Sequence, residues 1–296
     1  MVTTQLLKPD VIAPGVNIMV AWTDTVGPTG LPFDSRRTEF NIISGTSISC
    51  PHISGVAALL KGAHPDWSPA AIRSAIMTTA YSYDNMNKLD VPMADEATGN
   101  ASTPFDFGAG HVDPQRAMDP GLIYDLGVDD YVNFLCSLAY SPDSIKVLTR
   151  TNVTCPAQGA QSGNFNYPSF STFLRQGSAS NVSTSFVRTV TLAGPTISTY
   201  TPTVTAPTGI ELTVEPKTLK FSKRGEKLSF TLTVNVKALK FTPTVNSETL
   251  FASLAWSDGK HVVRSPFPKN QPTILADANL YLSGISCYII KYIEIE

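Results

Sequence analysis

The chain has 296 residues, enough to bury a sizeable core in one large or two ordinary domains. Its formal net charge of -2, with no long basic or acidic run, argues against nucleic-acid binding and electrostatic membrane attachment. Hydrophobic residues make up 42%, as in ordinary globular proteins, and no stretch reaches the ~20 apolar residues that span a bilayer.

The opening segment, Met1 to Pro9, has no charged region followed by an apolar one and does not read as a signal peptide. Val11-Ile12-Ala13 and Ile18-Met19-Val20-Ala21-Trp22 read as short buried strands around a turn at Pro14-Gly15. Ile53, Val56, Ala57, Leu59 and Leu60 fall at helical spacing and stop near Gly62, with Pro51 placed in the first helical turn. A second helix starts cleanly, with Ser68 as N-cap and Pro69 at its first position, and buries Ile72, Ala75, Ile76 and Thr79. A third runs from Asp129 through Tyr131, Phe134 and Leu135, its acidic pair near the N-terminus.

After Asn164 the period changes from about 3.6 to two. Phe186 to Val190, Ile210 to Val214 and Leu228 to Val234 alternate apolar and polar residues, as half-buried strands do. Leu250 to Trp256 and His261 to Arg264 flank Ser257-Asp258-Gly259-Lys260, a hairpin signal. An antiparallel sandwich of roughly six or seven strands is expected. Four cysteines are too few for a disulfide scaffold or a zinc site, and no metal or cofactor motif is visible. Cys136 and Cys155 are close enough to bridge a small loop, while Cys50 reads as an inert buried thiol. Asn100, Asn152 and Asn181 each open an N-glycosylation sequon.

The chemistry concentrates in Ser44-Gly45-Thr46-Ser47-Ile48-Ser49-Cys50-Pro51-His52-Ile53-Ser54-Gly55. Ser47 stands where a helix begins, and the amides and dipole there favour the negative charge of an oxyanion. On the serine and the helix alone, a plain helix cap is the commoner role. His52 looks like its general base, but five residues along a helix put it well round the axis. His64, His111 and His261 lie in a loop, a glycine-rich turn and a hairpin, and are expected to be structural or exposed.

The Ser47 run resembles the G-T-S-x-x-x-P-H-x-x-G signature around the nucleophile of subtilisin-like proteases. Lys8-Pro9-Asp10-Val11-Ile12-Ala13-Pro14-Gly15, Phe107-Gly108-Ala109-Gly110-His111-Val112-Asp113-Pro114 and Asp119-Pro120-Gly121-Leu122-Ile123-Tyr124-Asp125 resemble elements of the cucumisin-like plant group. Asn166-Tyr167-Pro168-Ser169 and the Trp256 to Gly259 hairpin resemble that group's fibronectin-type-III-like domain, so the likeness covers residues 8 to 266. It implies the fold class: an incomplete α/β subtilisin-like catalytic domain, its C-terminal part, followed by an all-β fibronectin-III-like sandwich. The boundaries expected are 1–136 for the catalytic part, 137–164 for a linker, 165–266 for the sandwich and 267–296 for a poorly ordered tail.

The resemblance also implies an extracellular serine endopeptidase acting on proteins or peptides through an acyl-enzyme on Ser47, with Ser47 the sole catalytic residue matched. Its base, orienting carboxylate and oxyanion asparagine are expected upstream of the serine, yet no histidine lies among the first 46 residues. Asp10, Asp24, Asn17 and Asn41 match none of the family's motifs for these roles. The chain is therefore expected to be truncated and inactive alone. The alternative is a non-catalytic extracellular interaction or scaffold module built on the sandwich.

Overall fold

The computed structural model describes residues 6–84, 93–95, 99–156, 162–173, 182–195, 197–236 and 251–270. Strand β1 (Ile18–Ala21) pairs antiparallel with β2 (Phe40–Ile43), Ile18 opposite Ile43 and Ala21 opposite Phe40. This hairpin corrects the expectation of buried strands, because Met19, Phe40 and Ile42 are all well exposed. An apolar run shows what a segment is fit to bury, not whether a covering layer is present. Val11 to Ala13 forms no strand; Ile12 makes a single parallel bridge to His111.

Helix α1 (Thr46–Ala63) follows, and Ile53, Val56, Ala57 and Leu60 form its buried stripe. Leu59 drops out of the expected stripe at 68% exposure. Pro51 lies beyond the first turn, so its missing N–H removes the helical bond that would have reached the Ser47 carbonyl. Helix α2 (Pro69–Thr79) is capped by Ser68, whose hydroxyl accepts from Ala71 N at 3.0 Å. It is buried nearly all round. Such a helix must satisfy its polar side chains internally, and Thr78 and Thr79 donate to the carbonyls of Ser74 and Ala75.

Two single-turn helices, α3 (Pro104–Phe107) and α4 (Pro114–Ala117), start at Thr103 and Asp113 caps, each followed by proline. The two-residue strand β3 (Leu122–Ile123) divides two cores. Leu122 points into the sandwich core and Ile123 into the core of α1 and α2. Helix α5 (Val128–Ser137) is anchored by Asp130, which accepts from Gly127 N at 2.7 Å. Helix α6 (Pro142–Thr149) occupies the stretch expected to be linker. Its Ser141-Pro142 start repeats the Ser68-Pro69 signal, and only the polar composition around it masked the helix.

The remaining strands are β4 (Thr172–Phe173), β5 (Val182–Leu192), β6 (Ser198–Thr205), β7 (Ile210–Glu215), β8 (Leu219–Phe221), β9 (Lys227–Val236), β10 (Phe251–Ser257) and β11 (Val262–Asn270). One sheet runs β4-β11-β10-β6-β8 and the facing sheet β3-β5-β9-β7, pairing antiparallel except for β4 with β11. Tyr200, Phe230, Leu232, Leu254, Trp256 and Val263 fill the space between them. The alternation that the sequence shows is thus the alternation of a two-layer core.

Two boundaries differ from expectation. The second sheet takes β3 from the helical half, so the division at 136 does not separate two bodies. Strand β11 continues to Asn270 and buries Phe267 at 1% exposure, so the sandwich extends past 266 into the expected tail. Strands β6 and β8 were not expected; Pro202 interrupts the pattern of the first, and the second has three residues. Residues 271–296 and Asn181 lie outside the described residues.

Candidate active site

Ser47 is the second residue of α1 and is exposed. Its loop is fixed from below by the segment that starts at Lys8. Gly45 N donates to Gly15 O at 2.7 Å, Ser49 Oγ donates to Ala13 O at 3.0 Å, and Asn17 N donates to Ser44 Oγ at 2.8 Å. A Cβ on Gly15 would collide with Ser49 Oγ and stand 2.9 Å from Gly45 O. Glycine is required there by close approach, which explains the Pro14-Gly15 pair better than a turn between two strands does.

The same segment is gripped on its other side by the Phe107 to Val112 run. Ala109 N donates to Asp10 O at 2.8 Å, Ile12 N to Gly110 O at 2.9 Å, and Val112 N to Ile12 O at 2.9 Å. Gly108, at φ 65°, packs against the carbonyls of Pro9 and Asp10 where no side chain fits. The two glycine-bearing motifs therefore form one small platform under the start of α1.

Each of the four histidines has hydrogen-bond partners of its own. His52, roughly 140° round the helix from Ser47, bonds through Nδ1 to the Ile48 carbonyl of its own helix at 2.9 Å. His64 stacks on Trp67 with ring centres 3.8 Å apart and bonds to Met118 O at 2.9 Å. His111 bonds to Val112 O at 3.0 Å and packs against Tyr81. His261 is held between two carboxylates, Asp258 Oδ2 at 2.9 Å from Nδ1 and Asp119 Oδ2 at 3.0 Å from Nε2.

The aspartates and asparagines weighed from sequence are committed elsewhere or exposed. Asp10 Oδ1 accepts from Tyr167 Oη at 2.5 Å and pairs with Lys8 Nζ at 2.7 Å. Asp24 lies exposed in the β1–β2 loop. Asn41 Nδ2 donates to Pro28 O at 2.8 Å, and Asn17 adopts a left-handed backbone at φ 53°. Cys136 and Cys155 are bridged with Cα atoms 5.5 Å apart, and Cys50 is a free, partly buried thiol. Asn100 and Asn152 are exposed. Among the described residues no group of three His, Cys, Asp or Glu side chains could hold a metal ion, and no helix is long and apolar enough to cross a membrane.

Residues 2–110, which include Ser47 and the platform beneath it, match the model of the Subtilase family, and residues 164–268 match a Fibronectin type-III domain. The chain belongs to the subtilase family. It is 52% identical over 267 residues to the subtilisin-like protease SBT1.5 of Arabidopsis thaliana, covering 89% of this chain and 34% of that protein. SBT1.6 and SBT1.7 of the same plant are 51% and 52% identical, over 90% of this chain and 35% and 34% of their own. This subtilase chain thus spans about a third of the length of the curated relatives it matches. Among solved structures, a FixG-related protein from Vibrio parahaemolyticus is 12% identical with a TM-score of 0.25, covering 31% of this chain and 81% of its own. That likeness is too slight to bear on fold or function.

Sequence reasoning missed two polar clusters in this subtilase chain. One is the Asp119–His261–Asp258 arrangement, which Lys260 joins through Asp119 at 2.8 Å. Its partners are 142 and 3 residues apart in sequence, and only the Asp258 to His261 spacing was visible beforehand. The other gathers Lys8, Asp10, Arg73, Tyr131 and Tyr167. Arg73 donates to Tyr131 Oη at 2.7 Å, and its guanidinium lies 4.8 Å from the Tyr167 ring centre. Burial, helped by the charge of Asp10, pushes the Tyr167 phenol well above its usual value and keeps it a donor.

Proposed function

We propose that this chain carries the nucleophile of a subtilisin-type serine endopeptidase. Ser47 Oγ attacks the carbonyl carbon of a peptide bond in a protein or peptide substrate. The C–N bond breaks, the amine leaves with a proton, and water then cleaves the acyl-serine ester. The amides of the first turn of α1 favour the oxyanion that forms on the way. The observation that carries this reading is the exposed serine at the start of an 18-residue helix, on a loop pinned at Gly45 and Ser49, within a run that matches the subtilase model.

On the same reading residues 1–296 do not hydrolyse peptides by themselves. The bonds of His52, His64, His111 and His261 to Ile48, Met118, Val112 and the Asp119–Asp258 pair, with His52 turned well round the helix, support the reading that none serves Ser47 as a base. Without a base and its orienter, a serine nucleophile retains only a small part of its rate. An extracellular setting fits the exposed sequons at Asn100 and Asn152 and the Cys136–Cys155 bridge. The scaffold reading is weaker, because β3 and Arg264 tie the sandwich into the helical half and deny it the independence of a tethered module.

A fluorophosphonate probe tests the proposal. The expected result is no labelling of the 296-residue chain above that of Ser47→Ala, and labelling once a histidine base is supplied in trans by a relative's upstream segment. Strong labelling of Ser47 in the chain alone would refute the inactivity, and none in the complemented form would refute the nucleophile.

A further inference from the structure

We propose that Tyr167 is a positioning residue for Ser47, through which the sandwich sets the nucleophile loop. The proposal rests on the reading of Ser47 as nucleophile.

Tyr167 belongs to the sandwich. Buried Arg188 of β5 donates from Nε to the Tyr167 carbonyl at 3.1 Å and, through its other nitrogens, to the carbonyls of Gly163 and Ser169. A guanidinium that binds only carbonyls in a buried site holds that backbone stiffly, since each lost bond would leave buried donors unmet. The Tyr167 ring packs against Arg73 and Phe165, and its hydroxyl is delivered to Asp10. The phenol donates to Asp10 Oδ1 and accepts from Lys8 Nζ at 2.9 Å, so both ends of the Lys8-Pro9-Asp10 triplet converge on it.

From Asp10 the connection to the serine is short and made of backbone. Asp10 O and the Ile12 amide and carbonyl bond to Ala109, Gly110 and Val112, and three and five residues after Asp10 the carbonyls of Ala13 and Gly15 receive Ser49 Oγ and Gly45 N. A displacement of Asp10 has little slack in which to dissipate, because Gly15 already touches Ser49 and Gly108 touches Pro9 and Asp10. A second arm acts on the same platform: Arg264 of β11, half-buried, donates from Nη2 to Ala109 O. A sandwich loop bound by Arg188 of β5 and strand β11 thus hold the platform under Ser47 at two adjacent points.

Amide hydrogen exchange on the 296-residue chain reads the brace without requiring catalysis, so its failure is distinct from a failure of the nucleophile reading. Tyr167→Phe keeps the ring and deletes only the hydroxyl. Exchange of residues 8–15 and 44–50 is expected to rise about tenfold, the size of one lost charged hydrogen bond in a locally opening unit, while β5 and β9 stay unchanged. Asp10→Asn, which keeps the acceptor oxygen, is expected to stay near wild type, and Asp10→Ala to match Tyr167→Phe. Unchanged exchange at 44–50 in both Tyr167→Phe and Asp10→Ala overturns the proposal. So does a uniform rise that includes β5 and β9, which would make Tyr167 a general packing residue.

Discussion

Replacing His261 with glutamine should make the stability of this chain less dependent on pH, and the structure gives sign and size. Both ring nitrogens of His261 face carboxylate oxygens, at 2.9 Å and 3.0 Å. A neutral imidazole has one N–H, so deprotonation leaves a lone pair against an anion at one of the two contacts. Despite the opposing effect of burial, bonds from Asp119 and Asp258 therefore raise the His261 pKa. A pKa raised on folding stabilises the folded state fully below the unfolded value of about 6.5 and is lost as pH climbs through the folded value. At the acid end the same bonds fail when the carboxylates take up protons. Burial alone would raise Asp258, but the His261 bond and the amides of His261 and Lys260 hold it at about 2.

The size follows from exposure. His261 and Asp258 are 12% and 10% exposed, so their charged bond contributes about 1.5 kcal/mol more than a neutral one. Asp119 is 49% exposed, and solvent screening reduces its share to about 0.5 kcal/mol. His261→Gln should thus cost about 2 kcal/mol at pH 5.5, or roughly 4 °C in Tm for a chain of this size, and close to nothing at pH 9. The assay is urea unfolding of both proteins at pH 5.5, 7 and 9, comparing the difference between them so that other titrating groups cancel. A difference that stays constant with pH, or that grows towards pH 9, would refute the two-carboxylate argument.

Two further substitutions test the packing that carries the site. Gly15→Ala should cost about 1–3 kcal/mol, because its methyl has to displace Ser49 Oγ and the Gly45 carbonyl, and the loss should appear in urea melts with increased exchange at 44–50. Phe267→Ala should cost about 3–5 kcal/mol, since the ring is buried at 1% and sits 6.0 Å from Phe186 and 6.4 Å from Phe170. A Tm unchanged in Phe267→Ala would return residue 267 to the tail and shorten β11.

Local signals carried far in this sequence. Ser68-Pro69 specifies a helix start from two adjacent residues, because capping needs only a side chain and the next three amides. Period-two alternation located β5, β7, β9 and the β10–β11 hairpin, since a two-layer sandwich buries every second residue. The run around Ser47 identified the family and marked the candidate nucleophile, because its glycines and serines meet steric demands within one short loop. Apart from α6 and β6, which local composition masked, the information missing from the sequence was distant. Leu122 and Ile123 look like part of the helical half, and only the facing edge of β5 makes them a strand of the sandwich.

The sequence by itself determined the main helices, five of the sandwich strands, the family and the serine motif, all of which rest on residues within a turn or two of one another. The tertiary structure alone decided how the halves act on each other. Asp10 reads as an unassigned acid until Tyr167, 157 residues away, delivers a hydroxyl to it. His261 reads as a hairpin residue until Asp119 closes on it from before β3. Such polar contacts have no period and no spacing in the chain. Burial makes them costly to break, and only the fold brings their partners within hydrogen-bonding distance.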